Sequence, residues 1–173
     1  MIQEEPIFFE DLALSDDVLD ALYDMRFEKC TPVQARCIPP ILEGRDVIGI
    51  AQTGTGKTAA YLLPLLTLLK QESHPKDAVN CLVMAPTREL AQQIDQALQG
   101  FGYYVDVNGV AVYGGNDGVR YEQERKSLQR GADIVPNRCG GDGGRRGLNH
   151  GGGVGVRRAI RARSGCTVGT ARG

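Results

Sequence analysis

Residues 46–58 read DVIGIAQTGTGKT, and this stretch decides the fold class. Its first five residues include three β-branched side chains and are typical of a buried strand. A glycine-rich loop follows, and an apolar helix is predicted from Lys57 to about residue 71. A strand, a glycine-rich loop ending in Gly-Lys-Thr and a helix, in this order, form the context of a phosphate-binding P-loop.

Each part of the loop has a chemical role in this interpretation. Gly54 and Gly56 let the backbone curl so that successive N–H groups converge on phosphate oxygens, next to the positive end of the following helix. Lys57 adds a cation near the β and γ phosphates, and Thr58 places its hydroxyl on Mg²⁺. The alternative is a Gly-Lys-Thr turn at the start of an ordinary helix. The predicted nucleotide site consists of Ala51, Gln52, Thr53, Gly54, Thr55, Gly56, Lys57 and Thr58.

Helices and strands are predicted to alternate along the chain around the P-loop. Ser15 can cap a short helix, and Thr31, Pro32 and Gln34 have the spacing of a capping box before a helix that runs to about residue 42. Helices of ten or more residues between strands indicate an α/β fold with a parallel sheet and right-handed crossovers. The other predicted strands are residues 81–85, 109–112 and a strand that begins at 133; the other helices are 88–98, capped by Thr87, and 118–129.

The composition is that of an ordinary globular chain. Its 173 residues are 42% hydrophobic, which is enough to bury a core. The longest apolar run, residues 61–69, is far shorter than the roughly 20 residues of a membrane-spanning helix, and the acidic N-terminus does not resemble a secretory signal. The five cysteines are scattered without a Cys-x-x-Cys pair, which argues against a disulfide framework or a zinc site. We therefore expect a cytoplasmic protein with reduced thiols and no membrane contact.

The net charge of −1 hides an uneven distribution along the chain. Residues 136–173 contain eight Arg, twelve Gly, no Lys and a single acid, so this segment carries a formal charge of +7, whereas residues 1–135 carry −8. The basic segment has no hydrophobic periodicity, and such a composition favours disorder. We therefore place a boundary after Val135.

Four further stretches accompany the P-loop. They are residues 9–12 (FEDL), residues 27–34 (FEKCTPVQ), residues 86–91 (PTRELA) and the pair Gly114-Gly115. In this order the chain resembles the DEAD-box RNA helicases, because these stretches are similar to that family's upstream aromatic element, Q motif, motif Ia and double glycine. The family's P-loop also accepts Ala at its first position. The resemblance covers about residues 7–135 and implies an incomplete P-loop NTPase (RecA-like) domain.

The resemblance implies that the chain binds ATP with Mg²⁺. In the Q-motif region, about residues 7–35, Gln34 would read the adenine edge, because a side-chain amide offers a donor and an acceptor together. Phe9 would lie against the base. The alternatives are a local capping role for Gln34 and core packing for Phe9, and these roles can hold together with base recognition. Arg26 stands where the family usually has Gly.

The resemblance also implies sequence-independent contacts with the RNA backbone at Pro86, Thr87 and Arg88. Thr87 and the first N–H groups of its helix can donate to phosphate oxygens, and so can the N–H groups of Gly114 and Gly115. Arg88 can instead pair with an acid of the domain, and the glycine pair can be an ordinary turn at a strand end.

Three motifs of the family do not occur in the 173 residues: Thr-Pro-Gly-Arg, Asp-Glu-Ala-Asp and Ser-Ala-Thr. A second RecA-like domain is not present either. Phosphoryl transfer depends on the groups that these parts supply. We therefore interpret residues 1–135 as a partial helicase ATP-binding domain that binds nucleotide, hydrolyses it little by itself and exposes sheet edges and apolar surface.

Two explanations of residues 136–173 are open. As a functional element, the segment resembles flexible RGG-type segments that bind RNA, and the chain would be a non-catalytic, nucleotide-responsive RNA-binding module. As the product of a shifted reading frame, it would have no role, and the chain would be the N-terminal part of a cytoplasmic ATP-dependent RNA helicase. We favour the second explanation, because Gly and Arg without Lys are typical of GC-rich codons read out of frame. The other reading frames of the encoding DNA test it. The sequence indicates no oligomeric state.

Overall fold

The computed structural model describes residues 5–71, 74–75, 78–112, 122, 125–128, 131–138, 153–156 and 166–167. Gly114, Gly115, most of the predicted helix at 118–129 and most of the basic segment lie outside the described residues. In chain order the elements are a 3₁₀ turn Phe9–Asp11, α1 Asp16–Asp24, α2 Pro32–Leu42, β1 Val47–Ile50, α3 Lys57–Gln71, β2 Val79–Ala85, α4 Arg88–Phe101, β3 Ala132–Arg138, β4 Gly153–Val156 and β5 Cys166–Thr167.

A parallel sheet forms around β2, with β3 on one side and β5 on the other. Residues 109–112 lie parallel to β3 and donate to it, from Val110 N to Ile134 O at 2.9 Å and from Val112 N to Pro136 O at 2.8 Å. The predicted strand at 109–112 is therefore present only as two isolated bridges to β3, Gly109 with Ile134 and Val112 with Asn137. The α/β class with a parallel sheet is confirmed.

β1 is not the buried strand that was expected in this sheet. It pairs antiparallel with β4 in a separate two-stranded sheet, with Val47 opposite Val156. Val47 and Gly49 face α2 and α3, whereas Ile48 and Ile50 are 70% and 77% exposed. The prediction of a buried strand is wrong, because Val47 and Gly49 are only half-buried and no element of the described structure covers Ile48 and Ile50. The expected exposure of apolar sheet surface is confirmed.

α3 is the central helix of the core. It is buried from residue 59 to residue 67, as its apolar run predicts. Leu22, Ile38, Leu66 and Ile134 pack in the same cluster and are each at most 2% exposed. Within the described part of the chain, no helix is both long and apolar enough to cross a bilayer.

A polar network anchors the start of β3. The Asp133 carboxylate accepts from Asn80 Nδ2 at 2.7 Å and from the N–H of Asn108 at 3.0 Å. Asn108 Nδ2 donates in turn to Gly131 O at 2.9 Å. These bonds connect Asn80 on β2 and Asn108 to the start of β3, and they hold these segments in register.

The boundary placed after Val135 does not coincide with a strand end. β3 continues to Arg138, and β4 and β5, both from the basic segment, pair with β1 and β2. The free strand edges of β1 and β2 offer these two short strands backbone hydrogen-bond partners, and the expectation of disorder for the segment stays a prediction. The division of the chain by charge stays a prediction.

Ser15 precedes α1, but its side chain does not cap the helix as predicted. Ser15 Oγ is buried and has no hydrogen-bond partner among the described residues. The N–H of Ser15 donates to Thr67 Oγ1 at 3.2 Å, in the buried part of α3. Packing against α3, rather than local helix chemistry, therefore sets the position of Ser15.

Arg26 takes the left-handed conformation directly after α1, with φ of +59°. The N–H of Arg26 donates to Tyr23 O and that of Phe27 to Leu22 O, both at 2.9 Å, which are the two bonds of a Schellman motif. A side chain in this conformation costs about 1 kcal/mol relative to glycine. Arg26→Gly is therefore expected to raise the free energy of unfolding, measured in urea, by about 1 kcal/mol.

Arg45→Gly is the matched control, because Arg45 is exposed and has no positive φ. Glycine there is expected to lower the free energy of unfolding by up to about 1 kcal/mol, since it adds freedom to the unfolded chain and removes an exposed ion pair with Glu43 that contributes little. A decrease for Arg26→Gly as well would contradict the assigned backbone strain.

Among the described cysteines, Cys30, Cys37 and Cys81 form no disulfide bond. Burial raises the pKa of Cys37, and burial together with the Asp11 carboxylate raises the pKa of Cys30 to about 11. Cys30 and Cys37 are therefore protonated at neutral pH and are weak nucleophiles. In the described ranges, no three His, Cys, Asp or Glu side chains are grouped so that they could hold a metal ion.

Candidate nucleotide-binding site

Residues 51–56 connect the end of β1 to the first turn of α3, as predicted. Gly54 and Gly56 have φ of +82° and +84°, which glycine adopts without strain. Thr55 Oγ1 donates to Gln52 O at 2.7 Å and closes a turn inside the loop. Left-handed residues before a helix N-terminus are the elements from which anion-binding nests are built.

Lys57 folds its side chain back over the loop. Its ammonium group donates to the carbonyl oxygen of Ala51 and, at 2.9 Å, to that of Gln52. Phosphate oxygens could accept the same N–H bonds. Because a phosphate oxygen carries negative charge and a backbone carbonyl does not, Coulomb attraction favours phosphate over these carbonyls as the partner of the ammonium group.

Gln34 connects the start of α2 to the P-loop. Its buried amide accepts from the N–H of Thr31 at 2.9 Å and donates from Nε2 to Gly56 O at 3.1 Å. A Cβ on Gly56 would lie 2.3 Å from Gln34 Nε2, so only glycine fits beside this amide. No local sequence pattern encodes the contact, because 22 residues separate its partners. The two bonds use half of the hydrogen-bonding capacity of the amide.

Packing decides the positions of two other residues of the Q-motif region. Of the two bonds of the capping box, the one from the N–H of Thr31 to Gln34 Oε1 is present. The other is missing, because Thr31 Oγ1 is buried without a hydrogen-bond partner in the described structure. Phe9 lies in the core and is 3% exposed. The core-packing alternative therefore holds for Phe9, and a contact between Phe9 and a base stays a prediction that requires the ring to become exposed.

An apolar cavity between β1, α2 and α3 reaches Lys57. Burial raises the pKa of Tyr61 in its wall, and a hydrogen bond with the Thr58 hydroxyl opposes that rise. Tyr61 is thus a neighbour of the predicted Mg²⁺ ligand, and the i, i+3 spacing on α3 is the signal that could have revealed it. The cavity is lined by Val33, Cys37, Ile41, Val47, Gly49, Lys57, Ala60 and Tyr61.

The predicted RNA contacts begin at the carboxyl end of β2, just as the P-loop begins at the carboxyl end of β1. Pro86 and Thr87 are exposed, and Arg88 is half-buried without an ion pair among the described residues. Thr87 Oγ1 accepts from the N–H of Leu90 at 3.2 Å, which confirms the predicted helix cap. An accepting hydroxyl keeps its own proton available for a further acceptor.

A loop with left-handed glycines between a strand and a helix of an α/β fold is the structural context of a phosphate-binding P-loop. The model of the DEAD/DEAH box helicase family matches residues 31–139, more than half of the chain. This chain belongs to the DEAD/DEAH box helicase family. The match includes Gln34 and the P-loop, and it ends four residues beyond the charge boundary.

Curated relatives match the same region. ATP-dependent RNA helicase DeaD of Klebsiella pneumoniae is 48% identical over 128 residues, which are 73% of this chain and 19% of that protein. DEAD-box ATP-dependent RNA helicase CshA of Bacillus cereus (strain ATCC 10987 / NRS 248) is 50% identical over 109 residues, which are 63% of this chain and 20% of that protein. The chain therefore spans about a fifth of the length of the curated relatives it matches.

A solved structure supports the fold. The DEAD box protein from the hyperthermophile Methanococcus jannaschii superimposes with a TM-score of 0.64 at 29% sequence identity. The superposition covers 77% of this chain and 35% of that chain. The parallel α/β architecture is thus that of a DEAD-box domain, of which the chain contains part.

Proposed function

We propose that this chain is the ATP-binding and RNA-contacting N-terminal part of a cytoplasmic ATP-dependent RNA helicase, in which ATP hydrolysis by the whole protein separates RNA duplexes. The observation that carries the proposal is the loop in which Gly54 and Gly56 are left-handed and Lys57 opens α3. The family match and the names of the relatives support it.

The loop N–H groups, the N-terminus of α3 and Lys57 would bind the triphosphate. Lys57 would exchange the carbonyls of Ala51 and Gln52 for phosphate oxygens. Thr58 fits the role of Mg²⁺ ligand, because its hydroxyl is a hard oxygen donor in the first turn of α3. Bound Mg²⁺ would neutralise phosphate charge.

Gln34 would read the adenine edge with the amide N–H and the oxygen lone pair that its bonds to Thr31 and Gly56 do not use. Since the same amide binds Gly56 O, base recognition would be transmitted directly to the P-loop. Phe9 would contribute to base binding only after leaving its core position.

Nucleotide preference tests this assignment. In titrations of fluorescent nucleotides with Mg²⁺ present, ATP is expected to bind about tenfold more tightly than GTP, and Gln34→Ala to abolish the preference, because two hydrogen bonds to the base are lost. Gln99→Ala, which removes an exposed amide on α4, is the control and should keep it. A preference that survives Gln34→Ala would overturn base reading by Gln34.

Thr87 tests the proposed RNA contacts, which also include Pro86, Arg88, Gly114 and Gly115. Thr87→Ala is expected to weaken binding of single-stranded RNA about fivefold in anisotropy measurements, because one hydroxyl donor is lost. It should also lower the free energy of unfolding by about 1 kcal/mol through loss of the bond to Leu90. Thr87→Ser keeps the hydroxyl and should restore both values. Unchanged RNA affinity in Thr87→Ala would contradict the contact.

A second candidate function, a nucleotide-responsive RNA-binding module without catalysis, is favoured by the +7 charge of residues 136–173. It predicts RNA binding that falls steeply with salt and is lost when the eight Arg of this segment are replaced by Gln. In the helicase proposal, RNA still binds after the eight Arg are replaced by Gln, and Thr87→Ala still weakens that binding. In both cases the chain alone is proposed to hydrolyse ATP slowly, since it contains no Asp-Glu-Ala-Asp motif.

A further inference from the structure

Exposed aromatic and methionine side chains are concentrated at the ends of α1 and α4. Nine large hydrophobic side chains are exposed in the described structure, and five of them lie here. They are Tyr23 (80% exposed), Met25 (40%), Phe27 (49%), Tyr103 (76%) and Tyr104 (44%), which we call the α1–α4 surface. A concentration of this kind is typical of a binding surface rather than of scattered exposure.

Contacts between the two helix ends make these residues one surface. The ring of Phe27 lies 6.3 Å from that of Phe101, between ring centroids. The Met25 side chain packs against Gly100, where an added Cβ would lie 3.4 Å from its sulfur. The residues after α1 are therefore held against the end of α4.

The two tyrosines are also held in place. The hydroxyl of Tyr104 donates to Asp24 Oδ2 at 2.5 Å. The ring of Tyr103 stands edge-on to that of Tyr104, with centroids 4.9 Å apart. Tyr103 thus presents a largely open ring from a fixed position, which lowers the entropy cost of binding.

The α1 side of this surface is acidic. α1 has the sequence DDVLDALYD, with four Asp and no base, and Asp17 is paired with Lys70 at 2.9 Å. With Arg26, residues 16–26 carry a formal charge of −3. The hydrogen bond to Asp24 raises the pKa of Tyr104, and the negative charges of Asp24 and Asp20 act in the same direction. Lys29, which follows in sequence, lies over the Phe8 ring instead.

We propose that the α1–α4 surface docks an arginine-rich segment of a partner polypeptide. A guanidinium group stacks on an open tyrosine ring and forms hydrogen bonds with a carboxylate. Tyr103 and Asp24 offer these two groups, since Asp24 is bonded to Tyr104, whose ring lies 4.9 Å from that of Tyr103. The carboxylates of α1 repel nucleic acid, which distinguishes this surface from the proposed RNA contacts at the start of α4. Met25 and Phe27 supply the apolar centre that such interfaces use.

The test uses the full chain and a fluorescein-labelled nonapeptide of alternating Arg and Gly. The peptide is expected to bind about three- to fivefold more tightly than its Lys counterpart, because ring stacking favours guanidinium. Tyr103→Ala should abolish this difference, and the double substitution Asp20→Asn with Asp24→Asn should reduce the salt dependence of binding. Ile48→Ala removes a similarly exposed side chain from β1 and is the control. It should change neither the preference for the Arg peptide nor the salt dependence of binding.

Three outcomes would overturn the proposal. The first is equal binding of the Arg and Lys peptides, or a difference that persists in Tyr103→Ala with an unchanged thermal melt. The second is weaker peptide binding in Thr87→Ala, which would place the peptide at the proposed RNA contacts. The third is binding that occurs only after the eight Arg of residues 136–173 are replaced by Gln, which would assign the surface to the chain's own basic segment.

Discussion

Lys57→Ala is expected to weaken ATP binding about ten- to a hundredfold. The ammonium group of Lys57 donates to Ala51 O and Gln52 O, so it is already positioned over the loop that would hold the phosphates. A hydrogen bond to a charged group contributes about 1.5–3 kcal/mol, which corresponds to that loss in Kd. Titration of a fluorescent ATP analogue with Mg²⁺ present measures the effect.

Lys70→Ala is the matched control, because Lys70 lies in the last turn of the same helix and pairs with Asp17 at 2.9 Å. This exposed ion pair contributes little, so nucleotide affinity should stay unchanged. If Lys57→Ala bound ATP as tightly as Lys70→Ala, the P-loop assignment would be wrong.

Gly56→Ala is expected to lower the free energy of unfolding by about 2–4 kcal/mol and to prevent ATP binding. The left-handed φ of +84° costs about 1–2 kcal/mol for a side chain. The new Cβ would also overlap Gln34 Nε2, at 2.3 Å, and break the hydrogen bond to Gly56 O, which contributes about 1 kcal/mol. Urea denaturation and nucleotide titration measure the two effects.

Gly54→Ala separates backbone strain from steric overlap. Gly54 has nearly the same φ, +82°, but an added Cβ would meet nothing within 4 Å. Gly54→Ala should therefore lower the free energy of unfolding by only about 1–2 kcal/mol. In a Gln34→Ala background the overlap at residue 56 is removed, and Gly56→Ala should then cost about as much as Gly54→Ala. If Gly54→Ala and Gly56→Ala lowered the free energy of unfolding equally in the wild-type background, the contact between Gln34 and Gly56 would be absent in solution.

The bounds of α2 and α3 could be predicted from the sequence because their ends are encoded locally. Thr31, Pro32 and Gln34 define the start of α2, and the P-loop defines the start of α3 at Lys57. Local signals failed where packing competes with them. Ser15 Oγ is not a helix cap, because the N–H of Ser15 is bound to Thr67, 52 residues away.

Exposure of β1 could not be predicted from its residues. Three β-branched side chains in five residues are typical of a strand covered on both faces. Whether both faces are covered depends on the layers that other parts of the chain supply, and Ile48 and Ile50 are left largely exposed. The same reason explains why β1 pairs with β4, since a free strand edge accepts whichever strand is available.

The sequence by itself determined the α/β class, the P-loop and the family, because spacing and local backbone chemistry encode all three. Only the tertiary structure decided that Gln34 bonds to Gly56, that Phe9 lies in the core and that the residues after α1 and α4 form one exposed surface. These features depend on contacts between residues far apart in the chain. Such contacts are set by how helices and strands pack, and no short stretch of sequence contains that information.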